Sequence, residues 1–98
     1  MTPGAARAPL LESLTTLQPC CYLWRVPEPV AGSTHGYKYR LACVVRGVCV
    51  LRYDNEAGKG DHRHDGSVES PYSFSTPEQL IADLQRDMAR WNDENSHP

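Results

Sequence analysis

YKYRLACVVRGVCVLRYD, Tyr37 to Asp54, decides the fold. Two runs rich in β-branched and aromatic residues flank Arg46-Gly47, a connection of the length and glycine content that a tight hairpin turn requires. The expected element is an antiparallel hairpin, Tyr37–Val45 against Val48–Asp54. Counting back from that turn pairs Val44 with Cys49 and Cys43 with Val50. Tyr37, Tyr39, Leu41, Cys43 and Val45 then share a face with Val48, Val50, Arg52 and Asp54. The apolar part of that face is the expected core. Arg40, Ala42, Val44, Cys49, Leu51 and Tyr53 fall on the other face, which is either partly covered or binds a partner.

N-terminal to the hairpin, Cys20 to Val26 is rich in β-formers and stops at Pro27, which predicts a strand. Pro27 to Gly36 carries two prolines and two glycines and predicts a loop. Leu10 to Leu17 fits two patterns: Leu10, Leu14 and Leu17 make a helical stripe, while Ser13, Thr15 and Leu17 alternate as in a strand. A strand forming a hairpin with Cys20–Val26 is the expectation. C-terminal to the hairpin, Thr76 predicts an N-cap, Pro77 the first helical position, and Gln79 the third residue of a capping box. Leu80, Leu84, Met88 and Trp91 repeat at helical spacing, with Ile81 widening the stripe. Asp83, Arg86, Asp87 and Arg90 are expected on a solvated opposite face, paired at i, i+3.

These elements predict an α+β fold, a small antiparallel sheet of three to five strands packed against a C-terminal α-helix. The 98 residues suit one domain, spanning 10–94 between a loose N-terminus, 1–9, and a short tail, 95–98. No apolar run reaches the roughly 18 residues of a membrane span. Met1 to Pro9 lacks the basic and apolar regions of a secretory signal, which predicts a cytoplasmic protein.

Cysteine usage agrees with that compartment. Cys20, Cys21, Cys43 and Cys49 lack the paired C-x-x-C spacing of a zinc site, and the hairpin puts Cys43 and Cys49 on opposite faces, so reduced thiols are expected. Charge is unevenly divided. From Met1 to Tyr53 six basic residues against two acidic ones give +4, and from Asp54 onward four against ten give −6. Either the halves complement each other, or a cationic sheet surface faces nucleic acid with an acidic helix elsewhere. The net charge of −2 argues against strong non-specific binding of duplex DNA.

Most of the chain's chemistry lies in LRYDNEAGKGDHRH, Leu51 to His64. Gly58-Lys59-Gly60 lacks the spacing and following helix of a nucleotide-binding P-loop. Its glycines permit close backbone approach to a ligand, with Lys59 as a point charge for phosphate. His62 and His64, two apart, point the same way on an extended segment and admit three readings. They are two ligands of a metal, with Asp54, Asp61 or Asp65 as an oxygen donor. They are an acid-base pair acting on RNA, with Lys59, Arg63 or Arg52 stabilising the phosphorane charge. Or they hydrogen-bond with Asp61 simply to hold the loop down.

HGYKYRLA (His35 to Ala42), LRYDNEAGKGDHRH, PYSF (Pro71 to Phe74) and the following PEQLIADLQRD, with WRVPEPVAGS (Trp24 to Ser33), resemble the TumE-like proteins of prokaryotic toxin-antitoxin loci. The resemblance runs from about Cys20 to Trp91. It implies a small α+β protein encoded beside a DNA-binding antitoxin, often of helix-turn-helix type, and leaves the biochemical activity undefined. In that family a strand with a glycine turn usually precedes the Trp-Arg-Val-Pro strand, where this chain has Gln18-Pro19.

The combined expectation is the toxin of a type II toxin-antitoxin pair, a ribonuclease needing neither metal nor other cofactor. Its candidate catalytic residues are His62, His64, Asp61 and Asp54. Lys59, Arg63, Arg52 and Tyr53 would bind substrate, Tyr53 by stacking on a base of single-stranded RNA. The partners expected are the antitoxin and RNA, with no membrane, and a homodimer is left open. The alternatives are a non-catalytic module that docks the antitoxin through the same loop, and a metal-dependent phosphodiesterase.

Overall fold

The computed structural model describes residues 17–95. Five strands form one antiparallel meander in the order β1-β2-β3-β4-β5: β1 Gln18–Arg25, β2 Tyr37–Val45, β3 Val48–Glu56, β4 Gly60–Asp65 and β5 Val68–Pro71. One helix, α1 Pro77–Asn95, follows. The α+β expectation holds, at the upper end of the anticipated strand number. The reading of residues 10–16 falls outside the described residues. Gln18 and Pro19 belong to β1 itself, pairing with Val44 and Cys43. Among the described residues β1 is the outermost strand of the sheet, a position where the missing N–H of Pro19 is tolerated. Among the described residues no helix is long and apolar enough to cross a membrane.

The central hairpin forms around Arg46-Gly47, whose φ values of 54° and 77° are the paired left-handed residues of a type I′ turn. Its register departs from expectation after two pairs. Val45 meets Val48 and Val44 meets Cys49, but Cys43 then meets Leu51, leaving Val50 as a bulge. The Val50 carbonyl accepts instead from the Gly66 N–H at 2.9 Å. One extra residue reverses the facing of all that follows in β3. Leu51 and Tyr53, not Arg52 and Asp54, join Cys43, Leu41 and Tyr39 in the core.

That core comprises Leu17, Tyr39, Leu41, Cys43, Leu51 and Tyr53 from the sheet side and Leu80 and Leu84 from α1, with Met88 and Trp91 packed beside them. All four cysteines are free thiols. Burial pushes the Cys43 thiol up to about 11. At the start of α1, Thr76 Oγ1 accepts from the Gln79 N–H at 3.0 Å, as the sequence predicts. The reciprocal half of the capping box is replaced, since the Gln79 side chain donates forward to Asp83 at 2.9 Å.

The solvated-face reading of the helix is corrected. Asp83–Arg86 and Asp87–Arg90 do pair, at 2.8 and 3.4 Å, but Asp83 and Asp87 are themselves buried, 8% and 3% exposed. They turn toward the sheet because tyrosine and arginine partners await them there. Tyr72 donates to Asp83, Tyr53 donates to Asp87 at 2.5 Å, and Arg63 Nε donates to Asp87 at 2.9 Å. Burial alone would raise both carboxyl pKa values, yet these donors outweigh it and hold them below the ordinary value of 3.8. A buried carboxylate with such partners is tolerated where an unpaired one would not be.

Candidate functional site

The Leu51–His64 stretch is not a loop but a second hairpin, β3 to β4, turning at Ala57-Gly58-Lys59. The ladder pairs Arg52 with His64, Tyr53 with Arg63, Asp54 with His62 and Asn55 with Asp61. Strand alternation therefore splits the candidate residues between the two faces.

Tyr53, Asn55, Asp61 and Arg63 lie on the face that carries α1. Tyr53 is 1% exposed, with no ring face left for a base. Its hydroxyl donates to Asp87 and accepts from Arg63 Nε at 3.1 Å, and burial followed by the Asp87 bond pushes its pKa up to about 12. Arg63 also meets Asp65 at 3.4 Å. Asp61 accepts from Ser33 Oγ at 2.6 Å, from the Tyr39 hydroxyl at 2.6 Å and from His35 Nε2 at 2.7 Å. His35 Nδ1 in turn accepts from the Tyr37 N–H at 3.2 Å, which fixes the tautomer, and Phe74 stacks on the ring at 3.8 Å. Asn55 replaces a stretch of ladder with its side chain, accepting from the Tyr39 N–H and donating to the Tyr37 carbonyl. These residues bind the Pro27–Gly36 loop, β2 and α1 to the hairpin.

The glycines serve the same packing. Gly58 N–H donates to the Ala31 carbonyl at 2.7 Å. Gly60, at φ 78°, lies so close to Gly32 that a Cβ would sit 2.8 Å from the Gly32 oxygen. The close backbone approach anticipated for a ligand is made by the chain's own loop.

Arg52, Asp54, His62 and His64 stand together on the face away from the helix. Arg52 Nη2 lies 2.8 Å from His64 Nε2, and because a guanidinium only donates, that ring nitrogen carries the lone pair. Arg52 Nε is 3.2 Å from Asp54 Oδ2. His62 Nε2 donates to the Lys59 carbonyl at 2.7 Å. Glu69 of β5, which the sequence reading passed over, brings one oxygen within 3.2 Å of His62 Nδ1 and 3.5 Å of His64 Nε2. The cross-strand register of His64 with Glu69 reveals it, and the signal that could have found it is the two-residue Gly66-Ser67 turn, which pairs Asp65 with Val68 and so His64 with Glu69. Despite these approaches, three buried side-chain atoms of the described residues have no hydrogen-bond partner: Arg52 Nε, Asp54 Oδ1 and His62 Nδ1. All three belong to this cluster. Lys59 is exposed at the adjoining turn and lines a hollow of about 420 Å³ with His62, Glu69, Ser70 and Pro71.

Chemically the cluster holds two imidazoles in different hydrogen-bond states, a guanidinium and two carboxylates on three adjacent strands, with the Lys59 ammonium at the adjoining turn. Among the described residues no group of three or more histidine, cysteine, aspartate or glutamate side chains is placed to hold a metal ion.

Neither the curated proteins nor the solved structures contain a match to this chain. A family profile described as Toxin TumE matches residues 21–92, from β1 through nearly all of α1 and about three quarters of the sequence. The chain belongs to the TumE toxin family, the toxin side of a toxin-antitoxin system whose other member is an antitoxin.

Proposed function

We propose that this toxin is a metal-independent ribonuclease whose acid-base pair is His62 and His64. The observation that carries the reading is the gathering of all three partnerless buried atoms into the two-histidine cluster. Buried polar atoms elsewhere in a folded protein are satisfied, and a concentration of exceptions marks a place where a ligand supplies the missing partner. His64, whose Nε2 lone pair is held by Arg52, takes the ribose 2′-OH proton once Arg52 turns its N–H groups onto the phosphate. The 2′-oxygen attacks phosphorus, the bond to the 5′-oxygen breaks, and His62 returns a proton to that leaving oxygen. The products are a 2′,3′-cyclic phosphate and a 5′-hydroxyl. Arg52 and Lys59 offset the charge on the phosphorane, and Asp54 and Glu69 orient the arginine and the rings. Asp61, Arg63 and Tyr53 act at one remove, by fixing the strands from the helix side.

The reading carries with it a cytoplasmic location, a DNA-binding antitoxin as cognate partner and a homodimer as a permitted assembly. Its test is expression of His62→Ala and His64→Ala, singly and together. Growth arrest and cleavage of single-stranded RNA to cyclic-phosphate ends should disappear while antitoxin binding persists. Undiminished arrest in the double variant overturns the catalytic roles. Loss of antitoxin binding in the variants, together with a wild type that never arrests growth, favours the docking module. Inhibition by chelators with rescue by a divalent ion favours the metal-dependent phosphodiesterase.

A further inference from the structure

Tyr22 and Trp24 of β1 stack on each other with ring centroids 4.8 Å apart and planes 28° from parallel, and both are largely uncovered, at 40% and 49% exposure. A core would not leave two large rings at the surface, and a strand that carries such rings at the margin of the described sheet is a place where something docks. The ladder fixes where they stand. Tyr22 pairs with Arg40, Arg40 with Asp54, and Asp54 with His62, so one row across the sheet joins the aromatic pair to the histidine cluster. Trp24 pairs with Lys38 in the next row, and Lys38 Nζ donates to the Asn55 carbonyl. The Arg40 side chain, midway along the first row, has no hydrogen-bond or ion-pair partner among the described residues. Three inter-strand spacings separate Tyr22 from His62, about 14 Å, a span that a few nucleotides of extended chain cover.

We propose that Tyr22 and Trp24 form a base-stacking subsite for single-stranded RNA, upstream or downstream of the bond cut at the histidine cluster, with Arg40 meeting the phosphate between them. The proposal rests on the ribonuclease reading and names the substrate's strandedness. Three features favour RNA over a protein partner on this row. Stacked rings accept any base through its π-face. The cations Lys38, Arg40 and Arg52 share the face of the sheet that carries the aromatic pair, where Asp54 lies beside Arg52 and Glu69 beside the histidines. The row also ends on the groups that would act on a phosphodiester. A duplex presents neither splayed bases nor a single backbone to such a row, so discrimination against double-stranded RNA follows.

The experiment uses the full chain with Trp91→Phe, which leaves Trp24 as the sole tryptophan, and a mixed-sequence single-stranded oligoribonucleotide as probe. Binding should quench Trp24 emission, and the equivalent duplex should not. Tyr22→Ala with Trp24→Ala, followed by anisotropy of a labelled oligonucleotide, should weaken binding on the order of tenfold or more. Arg40→Gln should weaken it less and reduce its salt dependence. Trp24→Phe should recover most of the affinity lost in Trp24→Ala, which separates stacking from a folding defect. Equal affinity of the wild type and the Tyr22/Trp24 double variant overturns the subsite while leaving cleavage by the histidines standing. Failure of the wild type to bind single-stranded RNA overturns it as well, and the cleavage assay then judges the nuclease reading separately. Loss of antitoxin binding alone in the aromatic variant reassigns the surface to the antitoxin and overturns the proposal.

Discussion

The two faces of the β3–β4 hairpin use neighbouring residues of one motif for opposite purposes. On the helix side the buried side-chain polar atoms of the described residues are matched: Asp61 has three donors, Asp87 has Arg63 and Tyr53, and Asn55 satisfies two backbone groups. On the far side His62, Asp54 and Arg52 each keep a buried atom without a partner. Aspartate and arginine are thus locked on one face, at Asp61 and Arg63, and poised on the other, at Asp54 and Arg52. Charge and polarity along the sequence do not separate structural from chemical roles here, and strand parity does.

The largest effect that tests this contrast is Asp87→Ala. It strands Arg63 and the Tyr53 hydroxyl beside the core, and breaking such a buried pair costs about 3–5 kcal/mol. That is a large share of the roughly 5–15 kcal/mol that holds a small domain together. Urea unfolding should show the shift in midpoint, and a loss below about 1 kcal/mol would erase the distinction between the faces.

Acid should weaken the same side by less, because a protonated carboxyl still fills its space. Asp83 and Asp87 have folded pKa values held below 3.8 by their donors, against the opposing effect of burial. Their contribution is whole above pH 3.8 and is lost as the pH falls through those lowered values. At the alkaline end Tyr53, raised from 10.0 to about 12, contributes fully below pH 10 and loses its share as the pH climbs toward 12. Thermal melts across pH should narrow at both extremes, and the acid-side loss should be smaller in Tyr53→Phe, which removes one of the donors.

Gly60→Ala comes next. Both its φ of 78° and the 2.8 Å approach to the Gly32 oxygen oppose a methyl group, at a cost of about 1–3 kcal/mol. Gly58→Ala shares the positive φ, 85°, but meets nothing within 4 Å, so only the backbone term of about 1 kcal/mol remains. Equal losses at the two positions would mean that the Gly32 contact is not what Gly60 is for. Smallest of all should be His62→Ala with His64→Ala, at about 1 kcal/mol or less. A larger loss there would make the far-side cluster structural and sink its assignment to chemistry.

Legibility followed the range of the interaction that fixes each feature. Arg46-Gly47 and Thr76 are local signals, and the turn and the cap formed where the residues indicate. The bulge at Val50 carries no glycine or proline to announce it, so the facing of Arg52, Tyr53 and Asp54 came out reversed. Asp83 and Asp87 look like surface residues by type. Yet Leu80, Leu84, Asp87 and Trp91 fall on a single seven-residue seam, and the tyrosines available to meet a buried carboxylate were present in the sequence. The pairing of His62 and His64 on one side was readable from their spacing alone. The involvement of His35 and Gly32 was not, since both reach the motif from the loop before β2.

The supernumerary residue at Val50 sets a counting rule for this chain. Two fixed corners, at Gly47 and Gly58, bracket the strand, so the tally of residues between them is odd or even rather than merely long or short. Deleting Val50 would only straighten the strand, with Leu51 still opposite Cys43 and Tyr53 opposite Leu41, whereas one residue inserted after Leu51 would swap Tyr53 for Asp54 beneath the helix, turning a phenol out to water and a bare carboxylate into the core. A two-residue insertion, by contrast, would keep every side chain on its own side.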